Sequence, residues 1–224
     1  MKSKKIAVLG GGSWGTVLAN LAAKNNSDVL LWMRDQTVVE QVNSTNTNNK
    51  YLPDYVLSKK VVATNFLSDI SSADTVIFCI PSDSFRDISK LSSPYLNEAV
   101  NLITATKGVE ESGFTLMSKI LEEEIGNKNP IGVLSGPNLA GEIAEGQITG
   151  TVIASKNKDL QKSFVEDYSS DEFRVYVSDD PYGVEMGGAL KNIYAIACGI
   201  ADGLNSGENT VGMIMTRGLA EMSR

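Results

Sequence analysis

The chain has 224 residues, 42% hydrophobic and 21% charged, an ordinary globular composition long enough for one large domain or one and a half smaller ones. Its net charge of −7 argues against nucleic acid and anionic membrane surfaces as partners, yet leaves room for a local cationic pocket that takes a phosphorylated small molecule. Two cysteines are too few for a disulfide framework or a metal cluster, and no apolar run approaches the ~18 residues of a membrane span.

The opening stretch, MKSKKIAVLGGG, has basic residues and then a short apolar run broken by glycines, so it does not read as a signal peptide. Within it Lys5–Leu9 predicts a buried strand. Ser13–Lys24 carries Val17, Leu18, Leu21 and Ala22 at helical spacing. Val29–Met33 predicts a second strand, Thr37–Val42 a short helix, and the polar Asn/Thr patch at 43–49 a loop. Val61–Thr64 is a third strand and Thr75–Ile80 a fourth, closed by Pro81. A helix near Ser84–Leu91 precedes a fifth strand, Val100–Thr104. Ser112–Glu124 reads as helix, and Ile131–Leu134 and Gly150–Ala154 as further strands. Cys79 and Cys198 lie in apolar contexts and read as buried free thiols of a cytoplasmic protein.

Strands alternating with helices predict a mostly parallel Rossmann-type α/β sheet covered on both faces. From about Pro181 the texture turns to helix without strand. Residues 1–180 are therefore expected to form a dinucleotide-binding domain, and 181–224 the start of an all-helical substrate domain. The chain stops at Arg224 inside an amphipathic pattern with no cap or breaker. The second domain is thus expected to be completed by a longer chain or by a partner, a homodimer being one way to cover its unfinished face.

Residues 10–15, GGGSWG, fit G-x-G-x-x-G between a strand and a helix, the context that motif requires. Gly10 permits the tight turn, Gly12 lets the backbone approach a pyrophosphate, and Gly15 lets helix and strand pack closely. Amides at the helix start attract the anion. The second strand ends Trp32-Met33-Arg34-Asp35, and Arg34 takes roughly the place of the acid that bonds the ribose 2′-hydroxyl in NAD-specific sites. An arginine there stacks on adenine or pairs with a 2′-phosphate, which favours NADP(H) with NAD(H) tolerated; a solvated surface charge is the alternative.

A nicotinamide-dependent alcohol–ketone interconversion moves a proton as well as a hydride. The usual carrier at neutral pH is histidine, and the chain has none. Lysine with a pKa lowered by burial or a neighbouring cation can serve instead. Lys191 sits in 183-GVEMGGALKNIYAIACGIADG-203 with Gly187 and Ala195 four residues away and Gly188 three away. Small neighbours leave room for a substrate; the competing reading is a lysine that snorkels beside a helix contact. Lys107 follows the strand 102-LITAT-106, at the C-terminal end where open parallel sheets bind ligands. It is placed to hold a substrate phosphate or depress the pKa of Lys191, or is an ordinary loop lysine. The segment 135-SGPNLAGE-142 reads as a loop whose amides face a ligand.

Taken together, GGGSWGTVLA, LWMRD, NNKYLP, CIPS, TATKGVE, SGPNLAGEIA, GGALKNIYAIACGIADGL and TRGLAEMSR resemble the bacterial-type NAD(P)-dependent glycerol-3-phosphate dehydrogenases, in order along essentially the whole chain. The resemblance implies reduction of dihydroxyacetone phosphate to sn-glycerol 3-phosphate for phospholipid synthesis. It implies cofactor contacts from Ser13, Trp14, Arg34, Lys107 and Ala140, and substrate contacts from Lys107, Gly136, Asn138, Lys191 and Asn192. Lys191 would be the general acid/base. No metal is implied. Asn138 departs from the family's usual Ser or Thr, and the family's substrate-phosphate arginine, with its neighbouring Asp and Asn, falls beyond Arg224. A polypeptide ending there is expected to show little or no dehydrogenase activity. Two alternatives stay open: a lysine-dependent reductase of another hydroxy acid, and a nucleotide-binding module without catalysis.

Overall fold

Period-two alternation explains why the central strand is buried on both sides. In Lys5–Leu9 (β1), Ile6 and Val8 point into one apolar cluster and Ala7 and Leu9 into another. The computed structural model describes residues 4–25 and 27–224; the first three residues of the opening stretch lie outside them. After β1 come Ser13–Lys24 (α1), Asp28–Trp32 (β2), Gln36–Thr45 (α2), Thr47–Asn48 (β3), Leu52–Val56 (β4), Val61–Thr64 (β5), Thr75–Phe78 (β6), Phe85–Ser92 (α3), Asn101–Thr104 (β7), Met117–Glu124 (α4), Ile131–Ser135 (β8), Ala140–Ala144 (α5), Thr149–Ser155 (β9), Lys158–Tyr168 (α6), Phe173–Ser178 (β10), Pro181–Gly203 (α7) and Glu208–Met222 (α8).

The main sheet runs β10-β9-β8-β7-β6-β1-β2-β5. Its neighbours pair in parallel except β8 and β9, which are antiparallel. From β1 the chain proceeds to β2 on one side and later returns as β6 on the other. That reversal of direction opens a crevice at the C-terminal ends of β1 and β6.

Four points of the sequence reading need correction. The helix predicted from Ser112 begins at Met117, because Gly113 and Phe114 both take left-handed φ values (+120° and +56°) in a turn closed by a Val109–Leu116 bridge. The polar patch at 43–49 is not a loop: it ends α2, caps it with left-handed Asn46, and forms β3. Strand β10 was not foreseen; Phe173 is buried, while Tyr176 and Val177 are exposed on the sheet edge. Cys79 and Cys198 are free thiols, but both are partly exposed rather than buried.

Helix α7 starts at Pro181, with Asp180 accepting the Gly183 amide at 3.0 Å. It is pinned to the sheet layer by Glu185. That carboxylate is 4% exposed and accepts the Ser118 amide (2.9 Å) and hydroxyl in the first turn of α4. An anion there satisfies orphan helix donors and meets the positive end of the helix dipole. A Cβ on Gly188 would lie 2.5 Å from the Ser135 hydroxyl, so this glycine allows α7 to approach the end of β8. Gly187, by contrast, faces open space. No helix among the described residues is long and apolar enough to cross a membrane.

Candidate active site

The crevice at the reversal point is a cleft of about 600 Å³. Gly10 leaves β1 with φ +116°, and a Cβ on it would lie 2.3 Å from the carbonyl oxygen of Cys79; a side chain would block the turn past β6. A Cβ on Gly15 would lie 1.9 Å from the Gly10 carbonyl oxygen, so only a hydrogen there lets α1 seat on the turn. Gly12 lines the cleft, and a side chain on it would meet no protein atom within 4 Å. Helix α1 starts at that point without a side-chain cap, leaving first-turn amides for an anion.

The far wall of the cleft comes from the β3–β4 hairpin, which α1 holds by polar side chains on one face. Ser13 Oγ donates to the Tyr51 carbonyl (2.8 Å). The fully buried Asn48 donates through Nδ2 to the Gly11 carbonyl (2.9 Å) and to Thr16 Oγ1 (2.8 Å). Asn20 donates to the Val56 carbonyl (3.2 Å) and accepts the Ser58 amide (2.7 Å). The hairpin thereby fixes the glycine turn and brings Lys50 and Tyr51 to the cleft.

Among the predicted residues, Gly10, Gly12, Trp14, Arg34 and Lys107 line this cleft together. Gly15 supports it from below, and Ser13 uses its hydroxyl on the hairpin. Arg34 is exposed just past β2. Asp35 caps α2 by accepting the Thr37 amide (3.0 Å) and pairs with Lys50 Nζ (2.8 Å). The cleft lining thus carries three cations, Arg34, Lys50 and Lys107, against one carboxylate, within a chain of net charge −7.

Lys107 is half-buried and donates through Nζ to the Gly136 carbonyl (3.0 Å). Burial lowers its pKa, and the charge of Lys191 lowers it further. The two lysines therefore share one electrostatic neighbourhood. Lys191 and Asn192 themselves are exposed on α7 rather than enclosed by small apolar neighbours. Gly136 is tightly placed: a Cβ would lie 2.9 Å from the Gly150 carbonyl oxygen. Asn138 donates to Thr151 Oγ1 (3.1 Å), while its Oδ1 is buried without a protein partner. Ala140 opens α5 and packs on the larger apolar cluster, outside the cleft lining.

Asn48, Lys50, Tyr51 and Thr106 fall in motifs that carry the family resemblance, but the sequence reading gave them no role in the site. A usable signal was present: Ser13, Thr16 and Asn20 put three polar groups at helical spacing on a face that packing alone would make apolar.

Residues 5–161 match the family model for the NAD-dependent glycerol-3-phosphate dehydrogenase N-terminus, and residues 180–224 the model for its C-terminus. Glycerol-3-phosphate dehydrogenase (NAD(P)+) of Saccharophagus degradans is 47% identical over 226 residues, covering 100% of this chain and 63% of that protein. Its counterpart in Acinetobacter baumannii (strain ATCC 17978) is 49% identical over 221 residues, covering 98% and 61%. The crystal structure of glycerol-3-phosphate dehydrogenase from Coxiella burnetii superposes with a TM-score of 0.92 at 35% identity, covering 99% of this chain and 68% of that one. The chain spans less than two thirds of the length of these two curated relatives. With both family models matched in order across the fold just described, the chain belongs to the NAD-dependent glycerol-3-phosphate dehydrogenase family.

Proposed function

We propose that the whole protein interconverts dihydroxyacetone phosphate and sn-glycerol 3-phosphate with NADP(H) or NAD(H), supplying the backbone for glycerophospholipids. The observation that carries this reading is the cleft where the glycine turn after β1 meets Lys107, which the Gly136 carbonyl holds in the wall after β7. The open space at Gly12, the uncapped start of α1 and the three lining cations fit a dinucleotide pyrophosphate.

Gly10, Gly12, Ser13, Trp14, Gly15, Arg34, Lys107 and Ala140 would serve the dinucleotide, which when bound supplies or takes the hydride. Lys191 Nζ gives a proton to the substrate's alkoxide oxygen in reduction and takes it back in oxidation. Lys107, held in the cleft wall by the Gly136 carbonyl, would keep a cation on the substrate side of the site. Gly136, Asn138 and Asn192 would line the substrate side, with Asn138 Oδ1 an unused acceptor there. Residues 1–180 would be the dinucleotide-binding domain, and 181 onward the start of the helical substrate domain. We place it in the cytoplasm, a reading with which two unpaired cysteines are consistent. A homodimer would cover exposed Ile193, Ile196, Ile200 and Leu219.

The test is NADPH oxidation by the full-length gene product with dihydroxyacetone phosphate, set against β-keto acids and ketopantoate. Turnover with the triose phosphate is expected. Turnover with a keto acid alone, or tight coenzyme binding with no turnover, would overturn the reading.

A further inference from the structure

The acid beside the ribose end of the cleft is already occupied. In dinucleotide folds of this kind, a free carboxylate after the second strand bonds the ribose 2′-hydroxyl and repels a 2′-phosphate. Here Asp35 follows β2 closely and lines the cleft. Both of its oxygens are engaged: Oδ1 accepts the Thr37 amide at 3.0 Å as the cap of α2, and Oδ2 accepts Lys50 Nζ at 2.8 Å. Lys50 reaches it from the turn between β3 and β4. That turn is not free to wander, because Ser13 holds the adjoining Tyr51 carbonyl and buried Asn48 ties the hairpin to the glycine turn. The ammonium also lies 5.6 Å from the Tyr51 ring centroid. Arg34, the neighbour of Asp35, is left exposed at the same rim.

We propose that Lys50 is a specificity-determining residue: by neutralising Asp35 it lets the ribose end of this cleft accept a 2′-phosphate, so that NADP(H) and NAD(H) are both taken. The inference rests on the dinucleotide reading of the cleft. Lys50 acts here through Asp35. It removes a repulsive charge, leaving Arg34 as the cation that faces the phosphate. The pairing explains how one site can hold an acid at this position and still admit the bulkier, more anionic coenzyme.

The experiment is fluorescence titration of the purified protein with NADPH and with NADH, for wild type, K50Q, D35N and K50Q/D35N. In K50Q the Asp35 carboxylate loses its paired cation and would repel a 2′-phosphate at this end of the cleft. The NADPH Kd should rise about tenfold while the NADH Kd changes by about twofold or less. The selectivity change should shrink at high salt, because both groups are exposed. In K50Q/D35N the ratio of the two affinities should return close to the wild-type ratio. Equal weakening of both coenzymes in K50Q would overturn the proposal. So would a double variant that stays as poor for NADPH as K50Q, since Lys50 would then contact the phosphate itself. Wild-type protein that binds neither coenzyme would sink the dinucleotide reading instead, and the proposal with it.

Discussion

The two halves of the cleft mouth are built in opposite ways. The coenzyme half, from Gly10 to Tyr51, is fixed by backbone turns that exclude any Cβ and by buried side-chain bonds from α1 to the hairpin. The proposed substrate half depends on α7, a long helix pinned near its start by Glu185 and Gly188, whose face at Lys191 and Asn192 is open to solvent. Coenzyme recognition asks for a rigid anion cradle, and short-range sequence can specify one. Proton transfer to a small substrate needs groups from distant segments to converge, and in the proposed site these would be Lys107, from the end of β7, and Lys191, from α7.

Replacing Lys191 by Met should break the substrate half alone. Steady-state kinetics of the full-length enzyme should show kcat lowered by roughly 10²–10⁴-fold, the usual worth of a positioned acid/base, with the coenzyme Kd close to its original value. The reverse pattern is expected for Gly15→Ala. Its Cβ collides with the Gly10 carbonyl, so thermal unfolding should show a loss of about 1–3 kcal/mol and coenzyme titration a severe loss of binding. Asn48→Asp sharpens the comparison further. It replaces the amide donor with an oxygen that repels the Gly11 carbonyl, at about 1–3 kcal/mol. The coenzyme Kd should rise, and Asn48→Ala should be milder because it introduces no repulsive atom.

The smallest effect concerns the pin of α7. Burial raises the pKa of Glu185 above its ordinary 4.5, although bonds from Ser118 act against that. Between 4.5 and the folded value, the native state holds a proton that the unfolded chain has released. This group's contribution to stability is therefore fully present below 4.5 and declines as pH rises through the window above it. Urea unfolding of Glu185→Gln at a series of pH values should show a flatter profile there than the parent protein. An unchanged slope would mean that Glu185 is not the group responsible.

How much of this was readable without coordinates differs between the same two halves. The strand–turn–helix of β1 and α1, and the helical character beyond Pro181, follow from local pattern: aliphatic runs, glycine spacing and apolar periodicity lie within a few residues of one another. Lys107 was found by its place after a sheet strand. Asn48 and Lys50 were missed because a polar, Asn-rich segment looks like solvent-facing loop, and only the distant face of α1 turns it into a wall. Glu185 reads as one more acid in a helix; its partner Ser118 lies 67 residues away.

Sequence alone thus determined the sheet class, the glycine turn after β1 and the identity of the cationic residues, because these depend on neighbours in the chain and on the chemistry of single side chains. Tertiary structure decided which charges meet. It set Lys50 on Asp35 and Glu185 on α4, brought Lys107 within range of Lys191, and left Lys191 exposed rather than enclosed. Electrostatic pairing depends on distance in space, which residue order does not encode until the strands have found their neighbours.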